Sequence, residues 1–246
     1  MPTVAELLSA RLAKDTHLGR SAQQQLRFLA EHAFWQAKRI SELETSDSQD
    51  YKMSFSTGGL FLNESLEIAR MHQDGEAWDD TILRARQEGT TSLPKAISNR
   101  RTVREISNRL IMLSADELEF LCGYADRADQ QALLWLATCR AYRFMREFAL
   151  EVVRERYLSY QLDLPRESSD QLFEAKAEWH EGLAAIKAST RQRLRQVAFQ
   201  IMREAGIISD TNRIQTAILS NRLKTMIADQ NPAELALFPG VPVDGG

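Results

Sequence analysis

Arg101, Arg104 and Asn108 have the types and the spacing to read DNA. Steps of three and four residues set side chains in one row along a helix. In a major groove, Arg can hold guanine and Asn adenine through paired hydrogen bonds, while neighbouring cations hold phosphates. Arg100 stands beside that row. A second group follows later in the chain: Arg191, Arg193, Arg195 and Arg203, then Arg213, Arg222 and Lys224. Arg203 points away from the apolar stripe of its helix with Gln192 and Gln196; Arg191 and Arg195 border that stripe on one side and Arg193 on the other. For both groups the alternative is a solvated basic face.

Catalytic chemistry finds less support. His17, His32, His72 and His180 are scattered, and none shares a metal-ligand spacing with a cysteine or carboxylate, so no metal or other cofactor is expected. EWHE, residues 178–181, could place a general base between two carboxylates, but a solvated helix end beside a packed Trp179 explains it without chemistry. Cys122 and Cys139 lie in no motif that would lower a thiol pKa and read as core thiols of a reduced compartment. No serine lies in a G-x-S-x-G turn. The Gly58-Gly59 pair lacks the lysine and hydroxyl of a phosphate loop, since Leu60 and Phe61 follow it. It reads as a helix start, with Ser56 or Thr57 capping and Leu60, Leu62, Leu66, Ile68 and Ala69 on the packed side. The expectation is a protein that is not an enzyme.

The elements that position these residues are helical. The 246 residues contain only six prolines and eleven glycines, and long segments run unbroken in Ala, Leu, Glu, Arg and Gln. The longest apolar run, ALLWLA at 132–137, is far shorter than the roughly 20 residues of a membrane span. With no apolar signal core at the start, the chain is expected to stay in the cytoplasm. Thr3 with Glu6 marks a first helix, Ser21 to about Leu43 a second, and SDSQD at 46–50 a linker. Further helices are read around Trp78–Gly89, from a Ser92 start, over Asn99–Leu113 and after the Ser114/Glu117 capping box. Two apolar helices over about 127–141 and 142–158 should form the core. Ser169 is expected to cap a helix through Trp179, Ser189 with Gln192 to start a longer one stopped by Gly206, and Ser220 to cap a last one. Between the last two, IISDTNRIQTAIL has the pattern of a short β-hairpin with DTN at its turn. Helix, hairpin and helix in that order suit a winged-helix reader of DNA.

Charge is unevenly spread behind a net value of -3. Residues 90–112 hold five bases and one acid, a net of +4; residues 187–224 hold eight bases and two acids, a net of +6. The intervening 113–186 hold eight bases and fourteen acids, a net of -6. Three parts follow: an N-terminal helical extension (1–47), a helical core with the first basic helix (48–160), and a C-terminal helical, winged-helix-like region (161–246).

Several stretches in consistent order, YKMSFSTGGLFLNESLEIA, RRTVREISNRLIMLSADELEFL, LLWLATCRAYRFMREFALEVVRERYL, FEAKAEWHEGL and LRQVAFQIMREAGIIS followed by PAELALFP, resemble the BrxA family of BREX phage-defence systems. The resemblance covers about residues 50–240. It implies an all-α, compact multi-helix fold, similar in part to the NusB antitermination fold, with helix-turn-helix elements and binding of double-stranded DNA. It also implies functional partners: a methyltransferase, a large ATPase, a phosphatase-like protein and a Lon-like AAA+ protein. The two basic segments are then the DNA-contacting candidates. A protein adaptor joining BREX subunits without touching nucleic acid is one alternative, and an RNA-binding regulator of NusB type is another. The connection from Gly89 to the Asn99 helix is longer than the three or four residues of a strict helix-turn-helix.

Overall fold

The computed structural model describes residues 51–55, 58–73, 75–88 and 96–243, with the backbone alone for 88 and 96–99. The N-terminal helices and linker expected over 1–50, the caps expected at Ser56, Thr57 and Ser92, and the stop at Gly89 lie outside the described residues. Among these residues the chain is all-α. Eleven α-helices follow in order: α1 (Leu62–Met71), α2 (Trp78–Glu88), α3 (Ala96–Leu110), α4 (Ala115–Gly123), α5 (Arg127–Ala141), α6 (Arg143–Glu147), α7 (Glu155–Leu158), α8 (Glu167–Ala177), α9 (Glu181–Ala184), α10 (Ala188–Glu204) and α11 (Asn221–Gln230). A π-helical segment, Phe148–Arg154, joins α6 to α7, and a 3-10 helix, Pro232–Leu237, follows α11.

The centre is α5. Every residue from Ala132 to Cys139 is buried, so this helix is apolar all round and is packed on all sides. Its Trp135 Nε1 donates to the Leu237 carbonyl at 3.0 Å, which ties the 3-10 helix to the core. Helices from before and after residue 160 share this core: Val103, Ile106 and Leu110 of α3, Phe148 of the π segment, and Val197, Ala198 and Ile201 of α10 are all buried. Arg140 at the end of α5 is clamped by two buried carboxylates, reaching Glu117 of α4 at 2.7 Å and Glu234 of the 3-10 helix at 2.7 Å.

Some local rules hold as read. Ser114 and Glu117 form a complete capping box, and Ser220 Oγ accepts from Leu223 N at 3.2 Å. Gly206, with φ 71°, follows the end of α10. Others are overturned by packing. α1 begins at Leu62 behind Phe61, whose backbone is left-handed (φ 56°), and no side chain caps it. Leu60, placed on that helix from sequence, is buried in the loop before it. Ser169 lies inside α8, which starts at Glu167, and Ser189 lies inside α10, which starts at Ala188 behind Lys187; neither is a cap.

The two strands expected over 207–219 do not form among the described residues. A single antiparallel bridge, Ile208 to Ile214, closes a turn around Asn212, itself left-handed at φ 60°. The segment divides its hydrogen bonds with a third stretch of chain: Ile214 N donates to the Leu162 carbonyl at 2.7 Å, and Leu164 N to the Asn212 carbonyl at 2.9 Å. That sharing leaves no continuous two-stranded ladder.

Candidate nucleic-acid interface

The first basic segment is carried by α3, which packs against α1, α2 and α5. The stripe Val103, Ile106 and Leu110 faces that core, so residues on the opposite side face solvent. Arg100, Arg101 and Arg104 are exposed there and Asn108 is half-buried. No carboxylate among the described residues pairs with any of the three arginines, which leaves their charge available to a ligand.

Arg109 behaves differently, and its pairing with Glu105 leaves the segment's net of +4 unchanged. It is buried, with Nε and Nη2 donating to Glu105 Oε1 at 3.0 and 2.7 Å and Nη1 to the Gly59 carbonyl at 2.9 Å. Tyr142 donates its hydroxyl to the same carboxylate at 2.7 Å. Burial, with Glu105 second, pushes the Tyr142 phenol well above its ordinary range. The one acid and one of the bases of the segment therefore cancel inside the protein. The glycine pair is part of this assembly. Gly59 gives its carbonyl to Arg109, and Leu60 N donates to the Glu204 carboxylate at the end of α10. A Cβ on Gly59 would come within 2.2 Å of that carboxylate, so a larger residue would push the Glu204 side chain aside. The loop grips a carboxylate of its own chain.

Most of the second basic segment is drawn into structural contacts. Arg191 lies over the Phe173 ring at 4.6 Å and donates to the Ile186 carbonyl at 3.0 Å, stitching α10 to α8 and α9. Arg195 pairs with Asp170 of α8. Arg203 donates to Asn212 Oδ1 at 2.9 Å and fixes the turn of the failed hairpin. Arg213 is exposed, and 3.6 Å separates it from Asp163, a loose pair in water. Arg222 lies over Phe120 and Tyr124 at 5.0 and 4.4 Å, in a cleft of about 550 Å³ that also presents Asp116, Glu119 and Asp229. Arg193 is exposed on α10 and Lys224 half-buried on α11. The structure thus brings Arg100, Arg101, Arg104 and Asn108 onto one face, brings Arg203 to the Asn212 turn that Arg213 follows, and sends Arg222 to α4.

Two features of this surface are absent from the sequence reading. Glu105 and Arg109 carry the spacing of a helical ion pair and sit between apolar neighbours Ile106 and Leu110, a signal for a buried pair. Ile111 and Met112 continue the outward row beyond Asn108 and are 52% and 39% exposed. Trp179, read as packed, is 82% exposed, and His180 instead meets the edge of the Tyr51 ring at 4.8 Å. No group of three or more His, Cys, Asp or Glu among the described residues could hold a metal ion, and no described helix is long and apolar enough to cross a membrane.

The BrxA family model matches residues 49–231. A BREX protein BrxA from Paramagnetospirillum magneticum is 23% identical over 191 residues, covering 74% of this chain and 92% of its own. A crystal structure of an uncharacterized protein from Magnetospirillum magneticum is similar with a TM-score of 0.66 at 21% identity, over 80% of this chain and 100% of that one. This last likeness speaks for the fold.

Proposed function

The chain belongs to the BrxA family of BREX phage-defence proteins, and from that premise we propose that it is a non-enzymatic cytoplasmic component that holds duplex DNA against the outer face of α3. The observation that carries this reading is the exposure of Arg100, Arg101 and Arg104 together on one helical face with no carboxylate among the described residues to neutralise them. Such a face releases counterions from a polyanion and makes binding salt-dependent. Asn108, on the same face, adds an amide able to contact a base edge. From the second segment, Arg193 and Arg213 are exposed and contribute phosphate contacts, whereas Arg191, Arg195 and Arg203 serve mainly to hold α10 in place. The test is a gel-shift titration of the full chain against duplex DNA at several salt concentrations, with duplex RNA of equal length as competitor. Binding that prefers DNA and is lost in the Arg101→Ala/Arg104→Ala variant supports the reading. Unchanged affinity in that variant removes it, and preference for RNA replaces it with the regulator reading.

A second reading, an adaptor for other BREX components such as the methyltransferase or the ATPase, is favoured by large apolar side chains held out in water: Tyr160 at 91% exposure, Trp179 at 82% and Ile218 at 81%. Capture of a BREX subunit by the wild type and not by Trp179→Ala or Tyr160→Ala, with flat gel shifts, would put the adaptor reading first.

A further inference from the structure

The outer face of α3 has two halves of different chemistry. Steps of three or four residues carry Arg100, Arg101, Arg104 and Asn108 along the helix, and Ile111 and Met112 follow in the turn that closes it, all within an arc of about 120° on helical geometry. The helical hydrogen bonding runs on past Leu110, with Ile111 N donating to the Ser107 carbonyl at 3.0 Å and Met112 N to the Arg109 carbonyl at 3.0 Å. The second and third turns of α3 present cations. The last presents two large apolar side chains to water. Their backbone is fixed, because Arg140 Nη1 donates to the Met112 carbonyl at 3.0 Å while the same guanidinium is locked by Glu117 and Glu234. This apolar pair, 52% and 39% exposed, stands at the end of a basic helical face.

We infer that the C-terminal half of this face reads an A·T base pair, with the Asn108 amide on the adenine edge and Ile111 and Met112 on the C5-methyl group of thymine. The inference rests on the DNA-binding reading above and names what that site recognises. Thymine is the one base with a methyl group in the major groove, and apolar side chains distinguish it there. The spacing fits. A helix rises about 1.5 Å per residue, so Ile111 stands about 4.5 Å beyond Asn108, close to the about 3.4 Å step between stacked base pairs. The amide and the apolar pair therefore meet the same base pair or its neighbour. Arg104, about 6 Å to the other side, is placed for a guanine or a phosphate.

The test starts from random duplexes retained by the full-length wild-type protein. The retained pool is amplified in two forms, one with thymine and one with uracil, which differ only by the methyl group. Wild-type protein should bind the uracil pool about three- to tenfold more weakly. The Ile111→Ser/Met112→Ser variant, whose changes lie at the surface, should bind both pools alike. A parallel pool containing 7-deaza-adenine should weaken the wild type and leave Asn108→Ala unaffected. Equal wild-type affinity for thymine and uracil pools, with binding still lost in Arg101→Ala/Arg104→Ala, overturns the inference and leaves the DNA-binding reading standing. Binding that survives the arginine double variant overturns both.

Discussion

Glu105 and Arg109, one turn apart on α3, form an ion pair buried to 4% and 2% side-chain exposure at 2.7 Å. The pair joins three separate parts of the chain, since Arg109 also holds the Gly59 carbonyl and Glu105 also receives the Tyr142 hydroxyl. It fixes the rotation of α3, and with it the direction in which Arg101 and Arg104 point. Replacing Arg109 by Leu would leave a buried carboxylate with only a phenol beside it. The cost of breaking such a pair is about 3–5 kcal/mol, read as a lower urea midpoint at unchanged slope. A loss below about 1 kcal/mol would mean that Glu105 is reached by water and the pair is not a structural weld.

Arg101 and Arg104 should behave in the opposite way. They are exposed and unpaired among the described residues, so Arg101→Ala/Arg104→Ala should leave the urea midpoint almost unchanged. The effect should appear in DNA affinity and, more diagnostically, in its salt dependence. Each phosphate contact contributes about 0.9 to the slope of log K against log salt concentration, so the double variant should lose about 1.8. A uniform loss of affinity at unchanged slope would assign the two residues a role other than phosphate neutralisation.

Arg191 separates the two kinds of cation within one helix. Its guanidinium lies over Phe173 and donates to the Ile186 carbonyl, which is how α10 holds α8 and α9. Arg191→Ala should cost about 1–2 kcal/mol of stability through the lost stacking and hydrogen bond. Its salt slope for DNA should match the wild type. Arg191→Lys should rescue little, because an ammonium cannot stack and donate in the plane as a guanidinium does. A variant that keeps full stability but loses salt slope would assign Arg191 to DNA contact instead.

What could be read from the sequence here was local chemistry. The Ser114/Glu117 capping box and the Ser220 cap involve residues three apart, and the apolar stripe of α3 repeats within its own turns. The outward row from Arg101 to Asn108 follows from that stripe by geometry alone. What could not be read depended on distant partners. Arg140 meets Glu117 and Glu234 across 23 and 94 residues, and Leu60 meets Glu204 across 144. The same long-range pairing gives Arg191, Arg195 and Arg203 partners within the fold that the sequence does not announce. It also split the hairpin at Ile208–Ile214 by bringing Leu162 and Leu164 alongside it. Side-chain charge is legible from sequence; whether it is already spent inside the fold is not.

The start of α2 carries a titratable device with a defined sign. Glu76 Oε1 accepts from Thr81 Oγ1 at 2.5 Å, from an Arg84 guanidinium nitrogen and from Gln73 N at 2.9 Å. The Thr81 hydrogen bond, then that of Arg84, then that of Gln73 bring the carboxyl from 4.5 down to about 2. Thr81 has a single hydrogen, which goes to Glu76, so the His72 ring at 2.7 Å must donate to it through Nδ1–H. His72 in turn stacks on Trp78 at 4.0 Å, and its Nδ1 lies 3.5 Å from Glu76. A carboxyl whose pKa is lower folded than unfolded binds fewer protons in the native state. Its stabilisation is complete above about pH 4.5 and is lost as the pH falls to about 2. Glu76→Gln should therefore melt below the wild type at neutral pH, and the gap should narrow progressively as the pH is lowered from about 4.5 towards 2. Thr81→Val, which removes the largest contribution and so raises the folded pKa, should show a smaller loss that is complete at a higher pH than in the wild type. Thermal melts at pH 7, 4 and 3 check both, and a gap that stays constant through that range would show that Glu76 does not titrate with folding.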